Sequence, residues 1–179
     1  MTRCVTLNGV SKMIDLGPYA ECACKRMGNT FPMCKTDLML EEQGKKVTLT
    51  LRAHEEARAL VLNGCVFTDN DTKCDALYLY QGSGKKVMAL VELKGANDIH
   101  RAFEQLSYTR WHRPEYADLK ERFKGASQGQ LVEKAFVVSN GMLSKPEKER
   151  LEKTHRIRVM AVLHSEPVKK VPDLREYLV

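Results

Sequence analysis

The chain has 179 residues, of which 43% are hydrophobic and 29% are charged, so it can bury one core of domain size and is not expected to be disordered. Its 29 Lys and Arg residues exceed its 23 Asp and Glu residues, and the net charge of +6 permits a polyanionic partner without requiring one. No apolar run approaches the roughly 18–20 residues that a membrane span needs, so we expect neither a transmembrane protein nor a membrane partner.

The N-terminal stretch MTRCVTLNGVSKMIDLG has no continuous apolar region and is a poor secretory signal. We therefore expect a cytoplasmic protein, or a nuclear one if the source is eukaryotic or viral. Disulfide bonds are disfavoured in such reducing compartments. Cys65 and Cys74 lie in apolar stretches and are predicted to be small buried hydrophobic residues.

Three further cysteines, Cys22, Cys24 and Cys34, lie in a turn-rich and basic segment that has little core of its own. Together with Cys4 they could hold one structural Zn²⁺ ion in a tetrahedral site, although their spacing is not the usual C-x-x-C pair. Reduced, unligated thiols are the alternative interpretation.

Residues 1–44 are predicted to be an irregular, cysteine-bearing segment, and residues 45–179 to be one folded domain. Alternation of apolar and polar residues, helix-favouring composition and turn residues define the elements of its first half. In chain order they are a strand at 46–51, a helix at 52–62, a short strand at 65–68, and two strands at 73–81 and 85–94 that flank Gly82-Ser83-Gly84.

The second half of the domain alternates between helices and strands. Its predicted elements are a helix from Asn97 or Asp98 to about 110, an unassigned basic and aromatic stretch at 110–129, a strand at 134–139, a helix that opens with a capping box at Ser144 and runs to about 154, and a strand at 156–164. This order predicts an α/β fold in which helices flank a central mixed β-sheet.

The hairpin brings three polar residues together. A turn centred between Ser83 and Gly84 places Asp75 directly opposite Glu92, with Cβ atoms about 4.5–5.5 Å apart. Lys94, two residues further along the same strand, points to the same face of the sheet. A slip of one residue would put the two carboxylates on opposite faces, whereas this register leaves both faces otherwise apolar or aromatic.

Two carboxylates on an apolar face are costly unless a cation neutralises them. Oxygen ligands suit Mg²⁺ or Mn²⁺, which can polarise a phosphodiester and lower the pKa of a bound water. A neighbouring lysine can orient that water or stabilise the developing negative charge. The alternative is a solvent-facing strand with a surface ion pair between Glu92 and Lys94.

Asp75, followed by Glu92-Leu93-Lys94 at the end of an apolar strand, resembles the PD-(D/E)XK nuclease superfamily, which includes type II restriction enzymes and Holliday-junction resolvases. The resemblance covers roughly residues 52–164 and implies a restriction-endonuclease-like core. It implies that Asp75, Glu92 and the backbone carbonyl of Leu93 bind the metal ion. Lys94 would be the catalytic lysine.

The resemblance also implies a carboxylate on the first helix, for which Glu55 and Glu56 are candidates and Glu55 is preferred. Some members of the superfamily have a Gln and a Tyr four residues apart on the helix after the lysine. Gln105 fits this pattern as a catalytic residue, whereas Tyr108 stands only three residues later.

Basic residues with an interleaved tryptophan follow this helix and suit a nucleic-acid groove through phosphate contacts and stacking. An amphipathic surface stretch is the alternative, because nearby acidic residues dilute the positive charge. The candidate nucleic-acid contacts are Arg101, Arg110, Trp111, Arg113, Lys120 and Lys124.

The sequence therefore predicts a Mg²⁺- or Mn²⁺-dependent nuclease, endo- or exonucleolytic, that acts on DNA rather than RNA. One alternative is a nucleic-acid-binding or assembly protein that has a nuclease-like fold and does not cleave. A second is a zinc-dependent interaction module built on the N-terminal cysteines. The sequence is compatible with a homodimer and with a separate protein partner that supplies specificity.

Overall fold

The computed structural model describes residues 13–25, 31–125 and 129–179. Its strands are β1 (Met39–Glu42), β2 (Lys45–Thr48), β3 (Glu56–Val61), β4 (Ala76–Gly82), β5 (Lys85–Lys94), β6 (Gln130–Ser139) and β7 (Ala161–His164). Its α-helices are α1 (Ile99–His112), α2 (Pro114–Gly125), α3 (Lys145–His155) and α4 (Arg175–Leu178), and 3₁₀ helices span Gly17–Cys22 and Ala96–Asp98.

A five-stranded mixed sheet in the order β3-β4-β5-β6-β7 forms the centre of the fold. The β3–β4 and β4–β5 pairs are antiparallel, whereas β5–β6 and β6–β7 are parallel. Helices α1 to α3 cover one face, where Leu90 packs with Phe103 in the helix-side core. The hairpin β1–β2 and helix α4 cover the other face, where Leu40 and Leu178 pack with Tyr78 in the hairpin-side core. The predicted α/β fold with a central mixed sheet flanked by helices is confirmed.

The β4–β5 hairpin has the predicted register. Ala76 pairs with Val91 and Gly82 with Lys85, which leaves a two-residue turn. Both turn residues have positive φ, 51° at Ser83 and 73° at Gly84. Such a turn matches the right-handed twist of the strands, and this local geometry sets the pairing of the whole hairpin.

The predicted helix at 52–62 is wrong, because residues from Glu56 onward form strand β3 at the edge of the sheet. Glu56 pairs with Gln81, and Ala57 and Ala59 point into the hairpin-side core. The stretch favours a helix by composition, but pairing with β4 satisfies the backbone groups on one side of β3. Tertiary structure thus overrides local preference here.

The helices predicted after Asp98 and Ser144 are confirmed as α1 and α3, and the Ser144 hydroxyl accepts a hydrogen bond from the Glu147 amide at 3.3 Å. Helix α2 fills most of the unassigned stretch at 110–129, with Pro114 at its first position, where a proline is well tolerated. Its buried face consists of Tyr116, Leu119 and Phe123. None of the described helices is long and apolar enough to cross a membrane.

Two stretches predicted to be strands are wholly or largely irregular. The stretch at 65–68 is a turn region, held by a single bridge between Asn63 and Phe67. The strand predicted at 156–164 is reduced to β7, because Arg156 adopts a left-handed conformation (φ 51°) at the end of α3. The chain therefore rejoins the sheet only at the start of β7.

The structure contradicts the expectation of reduced thiols. Cys22 forms a disulfide with Cys65, and Cys24 forms one with Cys34, with Cα–Cα distances of 5.6 and 5.7 Å. Cys65 is therefore a cross-link rather than an isolated hydrophobic residue. The proposed zinc set is divided between two separate pairs.

The positions of the cysteines in the core explain this division. Cys22 packs in the helix-side core and Cys24 in the hairpin-side core, so the two side chains lie on different sides of the sheet. Cys4, the proposed fourth zinc ligand, lies outside the described residues. Cys74 is buried and free, as expected.

Candidate metal-binding site

Asp75 and Glu92 lie side by side where β4 begins and β5 ends. They are 1% and 0% exposed. The Asp75 amide donates to Glu92 Oε2 at 3.0 Å, and the Leu93 amide donates to Asp75 Oδ2 at 2.8 Å. Each carboxylate is therefore oriented by the backbone of the other strand, as the predicted register requires.

Lys94 completes the predicted group. Its Nζ lies 2.9 Å from Glu92 Oε1, and its side chain retains 23% exposure. The two carboxylates are sealed from solvent while the ammonium group is partly accessible. The structure thus brings Asp75, Glu92 and Lys94 together, and their catalytic and metal-binding roles stay predictions.

A third carboxyl group, which the sequence interpretation missed, belongs to Glu42 at the end of β1. It forms a hydrogen bond with the Asp75 carboxyl group. Its Oε2 atom is buried and accepts no hydrogen bond within the described part of the chain. The sequence does contain a signal for this residue. Gln43-Gly44 separates two stretches in which apolar and polar residues alternate, which predicts a hairpin whose first strand ends at Glu42.

Burial raises the pKa of both Asp75 and Glu92, and the neighbouring Asp75 charge raises that of Glu92 further. Burial and then Asp75 raise the pKa of Glu42 from 4.5 to about 7, against the lowering effect of Lys94. Glu42 and Asp75 are close enough to interact directly, and burial is the largest cause that raises the pKa of each carboxyl group. The three acidic groups outnumber the two lysines that act on them, Lys94 and Lys45.

These donors match the chemistry of Mg²⁺ or Mn²⁺. Carboxylates from Glu42, Asp75 and Glu92 are hard oxygen ligands. The Leu93 amide points toward Asp75, and because the N–H and C=O groups of a strand residue share one edge, its carbonyl points to the same side. Within residues 13–25, 31–125 and 129–179, no three acidic, His or Cys side chains converge in a metal-binding arrangement, so Glu42, Asp75 and Glu92 are neighbours but do not surround a common centre.

Glu55 and Glu56 do not reach this site, contrary to the prediction. They lie at the far end of the sheet, because Glu56 pairs with Gln81 whereas Asp75 precedes the opposite end of β4. The Glu55 carboxylate forms an ion pair with the Arg175 guanidinium, with Nη2–Oε1 at 2.8 Å. The error has the same origin as the incorrect helix at 52–62.

Helix α1 supports the segment that leads to Asp75. The Gln105 side-chain amide donates to the Lys73 carbonyl at 2.8 Å, and the Thr109 hydroxyl accepts from the Cys74 amide at 2.9 Å. Both contacts fix the backbone just before Asp75. The structure therefore gives Gln105 a positioning contact, and it shows no bond from Gln105 to the three carboxyl groups.

The basic stretch divides into structural and accessible residues. Arg113, 5% exposed, forms two hydrogen bonds with Asp69 and lies 4.2 Å from the centroid of the Phe67 ring. Its charge is buried and paired with Asp69, which gives it a structural contact, and its predicted contact with nucleic acid stays a prediction.

Two other predicted contacts are also engaged within the protein. Arg110 and Lys120 pair with Glu133, at 3.5 and 2.7 Å. Arg101 and Lys124 are exposed, and Trp111 is 58% exposed. Exposed candidates for a nucleic-acid surface are therefore fewer than the sequence suggested.

No family model matches the chain, and comparison with characterised proteins and with solved structures yields no significant match. The functional argument therefore depends on the carboxylate–lysine group itself.

Proposed function

We propose that this protein is a metal-dependent nuclease with a restriction-endonuclease-like core, which hydrolyses phosphodiester bonds in DNA in preference to RNA. The observation that supports this proposal is the convergence of Asp75, Glu92 and Lys94 at one end of the β4–β5 hairpin. Glu42 adds a third acidic group from a separate hairpin. The order Asp75, then Glu92-Leu93-Lys94, is the pattern that resembles PD-(D/E)XK nucleases.

Burial argues against a purely structural ion pair. A surface pair would leave Glu92 in solvent, whereas its side chain is 0% exposed. Two further acidic groups lie beside it, and two lysines, Lys94 and Lys45, act on these three acids. Such an excess of buried acid destabilises a fold unless a cation binds, so a role in binding one is the better explanation.

The chain's own residues have separate roles in this proposal. Glu42, Asp75, Glu92 and the Leu93 carbonyl would hold Mg²⁺ or Mn²⁺. When bound, the ion polarises a phosphoryl oxygen and lowers the pKa of water, which makes hydroxide available near neutral pH. Lys94, held in place by Glu92, orients the attacking water and stabilises negative charge on the phosphoryl group.

The test of this proposal is a cleavage assay on single-stranded, duplex and branched DNA and on RNA, with Mg²⁺, Mn²⁺ or EDTA. Wild-type protein should cleave DNA only when metal is present. Lys94→Met should bind metal but cleave roughly 10²–10³-fold more slowly, because lysine does not bind Mg²⁺ and acts on the transition state. Binding without cleavage by the wild-type protein, or unchanged cleavage by Lys94→Met, would contradict the proposal.

A further inference from the structure

A cavity of about 410 Å³ lies beside Glu42, between the turn that precedes β1 and the end of β3. This volume is within the range of small-molecule sites, about 300–1,000 Å³. The residues on which the argument depends are Phe31, Pro32, Met33, Glu42, Val61 and Asn63.

The cavity borders the candidate metal-binding site at Glu42. Glu42 lines the cavity and forms a hydrogen bond with Asp75. Asn63 also lines it, and its backbone amide donates to the Asp75 carbonyl at 3.3 Å. A ligand in the cavity would therefore lie one residue away from an ion held by Asp75.

The lining combines apolar walls with polar groups. An aromatic ring, a proline, a thioether and a valine come from Phe31, Pro32, Met33 and Val61. Side-chain amides and a lysine are also present, and Glu41 is neutralised by ion pairs with two lysines, at 3.6 and 3.8 Å. A flat heterocycle with polar edges suits this lining, because its faces can stack while its edges form hydrogen bonds.

The turn that forms one wall is fixed to the rest of the fold. The Glu41 amide donates to the Met33 carbonyl at 2.8 Å, and Cys34 is joined to Cys24 by a disulfide. The Cys24 amide in turn donates to the Ala59 carbonyl in β3 at 2.8 Å. A wall held in this way is pre-organised, which reduces the entropy lost when a ligand binds.

We infer that this cavity accepts one unpaired nucleobase of the substrate, next to the phosphate that is cleaved. The inference rests on the proposed nuclease function and adds a substrate class to it. A base can enter a side cavity only when it is free of its partner, so single-stranded nucleic acid is the preferred substrate.

The test uses single-stranded DNA oligonucleotides in which one abasic residue is moved along the sequence, one position at a time. Wild-type protein should cleave about tenfold more slowly when the abasic residue stands at one fixed position relative to the cut. Phe31→Ala should cleave the intact oligonucleotide about tenfold more slowly, with no further loss at that abasic position. Asn63→Trp, which fills the cavity from an exposed residue, should have the same effect with less risk to folding.

Trp111→Ala is the matched control, because it removes an exposed aromatic ring outside the cavity. This variant should retain the full abasic effect. A full abasic effect in both Phe31→Ala and Asn63→Trp, or cleavage by both at the wild-type rate, would overturn the inference.

A binding experiment separates this inference from the proposed nuclease function. An oligonucleotide with 2-aminopurine is added to the protein in EDTA, where no metal-dependent cleavage occurs. Quenching of its fluorescence by the wild-type protein, and loss of quenching in Asn63→Trp, would support the base site even if no cleavage is found. Equal quenching by both proteins, or no quenching by either, would overturn it.

Discussion

The two ends of the central sheet each contain a buried acidic side chain, and the pKa of the acid is lowered at one end and raised at the other. At one end Glu55, whose side chain is 7% exposed, accepts a hydrogen bond from the Tyr80 hydroxyl at 2.9 Å and pairs with Arg175. The Arg175 guanidinium holds the pKa of Glu55 at about 2. At the other end burial raises the pKa of Asp75 and Glu92 above the usual range.

The difference lies in the supply of positive charge. One arginine neutralises Glu55, and the acid acts as a structural tie between β3 and the C-terminal segment. Lys94 and Lys45 supply less positive charge than Glu42, Asp75 and Glu92 would carry as anions, and burial raises the pKa of Glu42. Perturbed acids in excess of their counter-charges are typical of functional sites, whereas a saturated pair is typical of a structural site.

Substitution of one acid at each end should give the largest contrast. Glu92→Gln should reduce metal-dependent cleavage by roughly 10²–10³-fold or more, because it removes a metal ligand and the partner of Lys94. Glu55→Gln, the matched control just before β3 at the other end of the sheet, should cleave within a few-fold of wild type. Initial rates, with circular dichroism to verify folding, would measure this. Equal losses in both variants would remove the functional distinction between the two ends.

The disulfides should contribute to stability in proportion to the loops they close. Cys22 and Cys65 are 43 residues apart and Cys24 and Cys34 are 10 apart, so replacing each pair by serine should cost about 4 and about 3 kcal/mol of unfolding free energy. Urea unfolding would measure both losses.

Only the Cys24–Cys34 pair should also affect the metal site. Cys34 forms an isolated backbone β-bridge with Leu40 in β1, and the same strand ends at Glu42. Its loss should weaken Mn²⁺ binding by about tenfold. The Cys22→Ser/Cys65→Ser protein is the control, and an equal loss of Mn²⁺ affinity in both would contradict the link between this disulfide and Glu42.

Metal-free protein should lose stability as the pH rises because of Glu42. Its pKa rises from 4.5 to about 7 on folding, so its contribution is complete below pH 4.5 and is lost as the pH passes through 7. After allowance for its partial exposure, the loss should be about 1–2 kcal/mol. Unfolding curves of wild type and Glu42→Gln between these pH values would measure it. An identical slope in both proteins would contradict the prediction.

Glu55 should produce the opposite pH dependence. Its pKa falls from 4.5 to about 2 on folding, so its contribution is complete above pH 4.5 and is lost as the pH falls through 2. Acid unfolding of Glu55→Gln should therefore be less steep than that of wild type. The comparison fails if Glu55→Gln and wild type lose stability in parallel below pH 4.5.

Local patterns in the sequence were sufficient for one strand pair and its side chains. Alternation along β4 and β5, with a two-residue turn at Ser83-Gly84, fixes the register. That register brings Asp75 to Glu92 without knowledge of any other contact. The capping box at Ser144 is local in the same sense.

Features that depend on distant contacts could not be predicted in this way. The stretch around Glu56 favours a helix until β4 is available to pair with it. Glu42 reaches Asp75 only because β1 and β2 pack on the sheet through Leu40 and Val47. The Cys22–Cys65 disulfide likewise joins residues that lie far apart along the chain.

Direct measurement of Mn²⁺ binding to metal-free protein by calorimetry tests the central claim that the acid-rich end is a cation site. We expect one Mn²⁺ per chain near neutral pH, with release of a proton from Glu42. Binding should be lost in Asp75→Asn, weakened in Glu42→Gln and unchanged in Glu55→Gln and Lys94→Met. No binding by the wild-type protein, or equal binding by Asp75→Asn, would contradict the claim.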